Sequence, residues 1–401
     1  MRLTLLNQFY APDISPTAQL AESLAEHRAG LGDEVTVIAG RAGYLEGYGP
    51  EDIDTAAVRI RRVWTPDLGK ASITRRLVGY ISYLAGSVLR VAVLPRQDVI
   101  VVMTTPPLVV VVALLHKLLH PRTRVVLWSM DCYPDVAERF GELKTGGLVS
   151  RLLRRVTRRA FRHLDHVVAL DQAMAELLMS QYASGAGAPP CTVVPNWERS
   201  ALFPRTPQVV TGPSTPRSAD DPTQILYLGN IGVGHRFDTV IDAADVLGGE
   251  AVFRFIGGGA RRDALVEAAA DRGLANVSVE GYVSKTSTPQ LLAEADAGLI
   301  TLDERSLGVI SPSKLHANLA AGLPVLYVGP PQSNVDEAIA RFDCGSSLRE
   351  GDVEGLVHAV RALRDGQADT RRARSRAAFE TAYCDTATLP QFDAILDASA
   401  G

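Results

Sequence analysis

Short apolar runs alternate with longer segments in which apolar residues recur every three or four positions, and this alternation holds along most of the chain. Arg2 to Leu6 reads as a buried strand. Thr17 to Leu31 is a predicted helix with Leu20, Leu24 and Ala25 on one side, ended by Gly30 and Gly32. Glu34 to Ala39 is the next strand, so the chain opens with a βαβ unit, the start of a parallel sheet covered by helices on both faces. Val58 to Val63, Asp98 to Met103, Thr123 to Trp128, His166 to Leu170 and Thr192 to Val194 continue the strands. Ile73 to Leu94 and Leu108 to His120 are apolar helices between them.

The pattern breaks at Pro204 to Pro222, which is rich in Pro, Ser and Thr and holds little to bury; it reads as a linker. A second alternation follows, with strands at Gln224–Leu228, Val252–Ile256, Val277–Glu280, Gly298–Leu302 and Val325–Val328. Its helices fall at Phe237–Leu247, Arg261–Arg272, Thr288–Ala295, Val353–Arg364 and Thr370–Thr381. The expected architecture is therefore α/β, with two Rossmann-like, doubly wound parallel-sheet domains facing a cleft. The domains fall at 1–200 and 223–378 around a linker at 201–222, with a C-terminal helix within 379–401 that packs back on the first domain.

Composition narrows the function. At 401 residues the chain exceeds one ordinary core, which fits two domains. Forty-one basic against 45 acidic residues leave a net charge of −4, which argues against a nucleic-acid protein. Cys132, Cys191, Cys344 and Cys384 lie far apart without metal-ligand spacing, so neither a disulfide framework nor a zinc site is expected. The most apolar stretch, Leu108 to Leu119, is shorter than the ~20 residues of a membrane span. These features suit a cytoplasmic protein, free or peripheral on the inner face of the membrane.

Every candidate site falls in a loop after a predicted strand, where open α/β sheets hold ligands. Leu307 to Val328 reads as a loop, a helix and a buried strand. Pro312 stands in the first turn, Ser311 or Ser313 caps, and Gly322 and Pro324 end the helix. Lys314 in that first turn opposes the helix dipole by about 0.3–1 kcal/mol, a mismatch that a shared anion relieves. Gly229-Asn230-Ile231-Gly232-Val233-Gly234 follows the first strand of the second domain. Its glycines permit a close backbone approach to a diphosphate, with His235 and Arg236 supplying positive charge. Gly257 to Gly259 and Gly281-Tyr282-Val283 repeat the device. A core helix and ordinary tight turns are the plain alternatives. In the first domain Asp131 sits in a polar break after a strand, as an acceptor-contacting carboxylate or as a cap for the helix at Pro134. Asp13 and Ser15, in the loop after the first strand, are further acceptor-side candidates.

These pieces occur in a telling order: GNIG, FRFIGGGARRDAL, VSVEGYV, LLAEADAGLITL and PSKLHANLAAGLPVL, preceded by NQFYAPDISPTAQLAESLAEH, WSMDCYPDVAERFG and VVPNW. In that order the chain resembles the retaining GT-B glycosyltransferases of family 4, in the branch of O-antigen and exopolysaccharide N-acetylfucosamine-type transferases. The resemblance implies a UDP-sugar donor on the second domain, with Tyr282 and Val283 bracketing the base. The Gly229 loop, Gly257 and the helix at Pro312 would hold the diphosphate, with Lys314 and Arg236 as counter-charges. No metal or other cofactor is implied, and no acidic pair of the DxD kind follows a strand. Retention would proceed on one face, the diphosphate oxygen helping to deprotonate the acceptor. That acceptor would be a hydroxyl of a lipid-linked glycan or of a small-molecule, antibiotic-type natural product.

The chain departs from the family at two places. Val309 and Ala317 stand where glutamates eight apart are usual, so Asn318 or His316 would have to grip the ribose, and the usual Arg/Lys pair of the glycine loop is replaced by His235 and Arg236 one step off. The missing glutamates keep open a nucleotide-sugar-binding partner subunit without turnover; a UDP-sugar epimerase on the same two-domain scaffold is the other alternative, though no convincing acid/base carboxylate pair for it stands in the sequence.

Arg151 to His163 carries six arginines and no acid. Arg151, Arg155, Arg158 and Arg162 share one helical face, suited to anionic phospholipid headgroups at about 1 kcal/mol per basic residue. The apolar helices at Ile73–Leu94 and Leu108–His120 would supply the inserted wedge. A solvated arginine face is the ordinary alternative.

Overall fold

The computed structural model describes residues 1–13, 15–41, 43, 57–67, 73–183, 187–204, 221–283 and 287–398. The chain forms two compact units, Met1–Val194 with Gly308–Ile310 and Leu389–Gly401, and Pro195–Leu307 with Ser311–Thr388. Positions 205–220 of the Pro/Ser/Thr-rich stretch lie outside the described residues.

In the first unit seven strands form one parallel sheet: β1 (Arg2–Leu6), β2 (Glu34–Gly40), β3 (Val58–Val63), β4 (Val99–Val102), β5 (Arg124–Trp128), β6 (His166–Ala169) and β7 (Cys191–Val193). Their order is β3-β2-β1-β4-β5-β6-β7. Each strand matches an apolar run read from the sequence. The central strand β4 is buried at every position, as expected when helices cover both faces, whereas β3 alternates and exposes Arg59 and Arg61 near the sheet's edge. The helices are α1 (Pro16–Gly30), α2 (Ile73–Ala92), α3 (Val110–Leu119), α4 (Asp135–Arg139), α5 (Leu148–Phe161) and α6 (Gln172–Tyr182). Ser15 caps α1, its hydroxyl accepting the Ala18 amide at 3.3 Å, with Pro16 in the first turn. Tyr83 of α2 is fully buried and donates its hydroxyl to the Ile38 carbonyl of β2 at 2.8 Å. The helix Asp385–Asp397 enters this unit from Leu389 onward, where Phe392 meets Trp128 edge-on at 4.6 Å. Arg28 clamps the same segment through Asp393 at 2.8 Å and Asp397 at 2.7 Å.

The second unit holds a six-stranded parallel sheet: β8 (Thr223–Leu228), β9 (Ala251–Ile256), β10 (Val277–Glu280), β11 (Ala297–Thr301), β12 (Val325–Val328) and β13 (Gly345–Leu348). The order is β10-β9-β8-β11-β12-β13. One face is covered by Val240, Ala244, Leu356 and Val360, the other by Leu315, Leu319, Val335 and Phe379. The second-domain loops singled out in the sequence lie beyond the carboxyl ends of β8, β9, β10 and β11.

Three features correct the expectation. The helix after β11 runs Lys314–Ala320, two residues later than Pro312, and Ser313 makes no side-chain cap. Pro312 is buried ahead of it, with its carbonyl taken by the Asn334 side-chain amide at 3.2 Å. The helices Gln172–Tyr182 and Asn334–Phe342 and the strand β13 were not apparent from the apolar pattern. All four cysteines are unpaired thiols, and among the described residues no helix is long and apolar enough to cross a membrane.

Candidate functional site

Three glycine loops of the second unit are joined main chain to main chain. The Gly229 amide donates to Ile256 at 2.9 Å, Gly257 to Glu280 at 3.0 Å and Ile231 to Gly258 at 2.8 Å. Gly257 has φ +147°, and a Cβ built there would lie 2.0 Å from the Gly229 carbonyl oxygen. Only glycine permits both that dihedral and that approach. Gly229 itself, at φ +129°, leaves room for the Lys314 stem, whose Cε would sit 3.3 Å from an added Cβ. The Asn230 side chain lies against Gly232, at 2.6 Å from an added Cβ.

Lys314 reaches under this cradle. Its ammonium donates to the Asn230 carbonyl at 3.1 Å and to His235 Nε2 at 3.1 Å, and stands 4.6 Å from the centre of the Tyr227 ring. Among the described residues its partners are a backbone carbonyl, an imidazole and an aromatic face, with no carboxylate. Burial therefore pulls its amine down to about 7. A cation held this way has no counter-ion among the described residues, and an anionic ligand would supply one.

His235 does not add positive charge, contrary to the sequence reading. It is buried, its Nδ1 lies 2.6 Å from the Thr301 carbonyl, and burial together with the Lys314 ammonium lowers it to about 3. Nδ1 must donate to that carbonyl, so Nε2 carries the lone pair that receives Lys314. Arg236 is committed elsewhere, donating to Asp238 at 3.0 Å with Glu350 at 3.8 Å. Tyr282 and Val283 are exposed at 54% and 38%, the tyrosine tethered by its hydroxyl to the Gly258 carbonyl at 3.2 Å, so a flat apolar surface borders the cradle.

Ser311 is half-buried and Ser313 exposed ahead of the Lys314 helix. Asn318 is buried, and its amide would lie 2.4 Å from a Cβ on Gly298, at the opposite end of β11 from Thr301. His316 is likewise buried, bonded to the Ser313 carbonyl at 3.0 Å and lowered to about 4 by burial. Both lie in the same short helix as Lys314, Asn318 one turn beyond it. Val309 is fully buried and belongs to the first unit, where its carbonyl receives the Cys132 amide at 3.2 Å, while Ala317 packs against the second unit's core. Tyr227 and Thr301 form part of the Lys314 nest but carry no mark in the sequence that separates them from ordinary strand residues.

In the first unit Asp131 follows β5, with its amide fixed to Thr104 Oγ1 at 3.0 Å. The helix α4 behind it has no side-chain cap, so Asp131 is not spent there. Burial beside Tyr80 and Tyr133 lifts its carboxyl to about 6. Asp13 and Ser15 are both engaged in the turn entering α1: the Ser15 amide donates to Asp13 at 2.8 Å and Ser15 caps. On α5 Arg151, Arg155 and Arg158 are exposed, as is Arg162 just after it, whereas Arg154 turns inward to Asp135 and Glu138, each at 2.7 Å. Among the described residues no three of His, Cys, Asp or Glu are grouped to hold a metal ion.

Comparison with known proteins agrees with this layout. Residues 17–197 match the Glycosyl transferase 4-like domain, and residues 222–365 match Glycosyl transferases group 1. WcaI of Escherichia coli, whose name assigns it to colanic acid biosynthesis as a glycosyl transferase, is 26% identical over 90% of this chain and 91% of its own. Among solved structures, sucrose-phosphate synthase from Thermosynechococcus elongatus superposes with a TM-score of 0.77 at 14% identity, covering 99% of this chain and 98% of that one. Anabaena HepE, solved in complex with UDP-glucose, gives 0.69 at 14% identity over the whole of both chains. The two family models account for both halves of the sequence, and the folds agree throughout: the chain belongs to the family 4 glycosyltransferases of the GT-B fold.

Proposed function

We propose that this glycosyltransferase moves a sugar from a UDP-sugar, with retention and without a metal, to a hydroxyl of a lipid-linked glycan at the inner face of the membrane. The observation that carries the donor half is Lys314, a half-buried cation under a glycine cradle with no acid partner among the described residues. A diphosphate placed there would complete its coordination, and the Lys314 charge would stabilise the leaving group as the sugar departs. The exposed Tyr282 ring would stack on the uracil, a contact open to any planar base and therefore dependent on neighbouring backbone groups for selection. HepE, an architectural neighbour, is solved with UDP and with UDP-glucose, which supports the choice of nucleotide. On the first unit, the Asp131 carboxyl near 6 would be ionised at neutral pH and able to accept from the acceptor hydroxyl.

The membrane half rests on the adjoining helices α2, α3 and α5. Leu77 and Ile81, Leu118, and Leu148 and Leu152 respectively are exposed on them, the most open being Leu148 at 83%. Four exposed arginines of α5, at 151, 155, 158 and 159, and Arg162 just after it accompany these side chains. An apolar wedge with a cationic border suits an anionic bilayer surface.

The test is UDP release from a panel of UDP-sugars with and without lipid-extract acceptor, with the product anomer read by NMR. An axial donor giving an equatorial product, or a strict metal requirement, would overturn the reading.

A further inference from the structure

We propose that His235 is a positioning residue that acts through Lys314: it uses its neutral Nε2 as a fixed acceptor to aim the ammonium at the diphosphate and does not itself touch the nucleotide. The inference rests on the donor site proposed above. Its first support is geometric. The Thr301 carbonyl, 2.6 Å from Nδ1, claims that nitrogen's proton, which leaves Nε2 as a lone pair facing the Lys314 ammonium at 3.1 Å. Its second is confinement. The imidazole is buried, tilted against Phe237 at 6.4 Å and edge-on to Tyr227 at 5.8 Å, so it cannot swing out to a ligand. Among the described residues the groups facing it are that pair of rings, the Thr301 carbonyl and Lys314, with no carboxylate. Its third is that the loop carrying it is fastened from below. The Gly234 carbonyl receives the Asp303 amide at 2.9 Å and the Ser306 hydroxyl at 3.1 Å.

A protonated His235 would point an N–H at the ammonium and push Lys314 out of the nest. The neutral tautomer is thus the one that holds the lysine on the cradle side of Tyr227.

The experiment compares His235→Gln, whose side chain can still place an acceptor before Lys314, with His235→Asn, which can meet Thr301 but is too short for Lys314. UDP affinity is measured by calorimetry at pH 8. The Asn variant should bind UDP roughly tenfold more weakly, and the Gln variant within about threefold of the parent, with matching melting temperatures. 15N spectra of the parent protein, with the His235 ring assigned by its absence from the Gln variant and so told apart from the buried His316, should show that imidazole protonated only at Nδ1 and not titrating between pH 5 and 8. An Nε2–H tautomer, titration in that range, or equal affinity in the Asn and Gln variants would overturn the proposal. The outcomes separate from those of the donor site: UDP binding lost in Lys314→Met but unchanged in His235→Asn leaves the site standing and removes only the role of His235.

Discussion

Replacing Lys314 by methionine should weaken donor binding while changing stability in a pH-dependent way. In the unfolded chain the amine titrates at its ordinary 10.5, whereas burial in the fold pulls it to about 7. A group depressed in this manner costs stability below its folded value, and the cost fades as pH rises from 7 toward 10.5. Linkage over that shift corresponds to about 4 kcal/mol at pH 7 and about 2 kcal/mol at pH 9. The residue as a whole keeps some solvent contact, so we take half, leaving a change of about 1 kcal/mol over those two pH units. Methionine removes this term entirely. It also leaves His235 Nε2 without its donor, a loss that does not vary with pH in this range because His235 stays neutral. The difference in melting temperature between variant and parent should therefore shift by roughly 2–4 °C in the parent's favour from pH 7 to pH 9. UDP affinity should fall by about 10- to 100-fold, the worth of one charge-assisted bond. Thermal unfolding at pH 7, 8 and 9 and calorimetric titration with UDP measure the two effects. A melting difference that does not move with pH, or unchanged UDP affinity, would refute the reasoning.

Other substitutions test other parts. Gly257→Ala should cost about 3 kcal/mol or more and abolish UDP binding, because the new methyl would meet the Gly229 carbonyl at 2.0 Å in a dihedral that alanine avoids; chemical denaturation measures it. Tyr282→Ala should weaken UDP by about 1–3 kcal/mol of lost stacking without altering the melting temperature, since the ring is exposed. Asp131→Asn should keep UDP affinity and lose turnover. The parent's rate should fall as pH drops through about 6, where the carboxylate is protonated, and the variant should lack that step. Changing Arg151, Arg155, Arg158 and Arg162 together to Gln should lower sedimentation with anionic vesicles by up to about 4 kcal/mol, the loss shrinking at high salt; equal binding of parent and variant would remove the membrane surface.

The fold was legible where burial on both faces leaves long apolar runs, as in Val99 to Val102, and where glycine and proline punctuate them. It was not legible at β13, whose GSSL is too short and polar to register, nor at Gln172–Tyr182, where a side-chain cap from Asp171 starts a helix of mixed polarity. Ahead of the late-starting Lys314 helix the Pro312 carbonyl is taken by Asn334, a contact 22 residues distant that no local spacing announces. The residues around the donor site were found by their glycines and by Lys314. The protonation of His235 was misread because it is decided by the Thr301 carbonyl, 66 residues on, and no spacing rule reaches that far.

The stitching of the three glycine loops bears on how such an enzyme can be retargeted. Where carbonyl meets α-carbon without space for a methyl, variation is locked out, so changes of donor preference must come from side chains that project past the seam. Val233 and Val283, both open to solvent at its margin, are the places where a library would find tolerance. Diversity at Gly257 would return unfolded protein instead of new sugars.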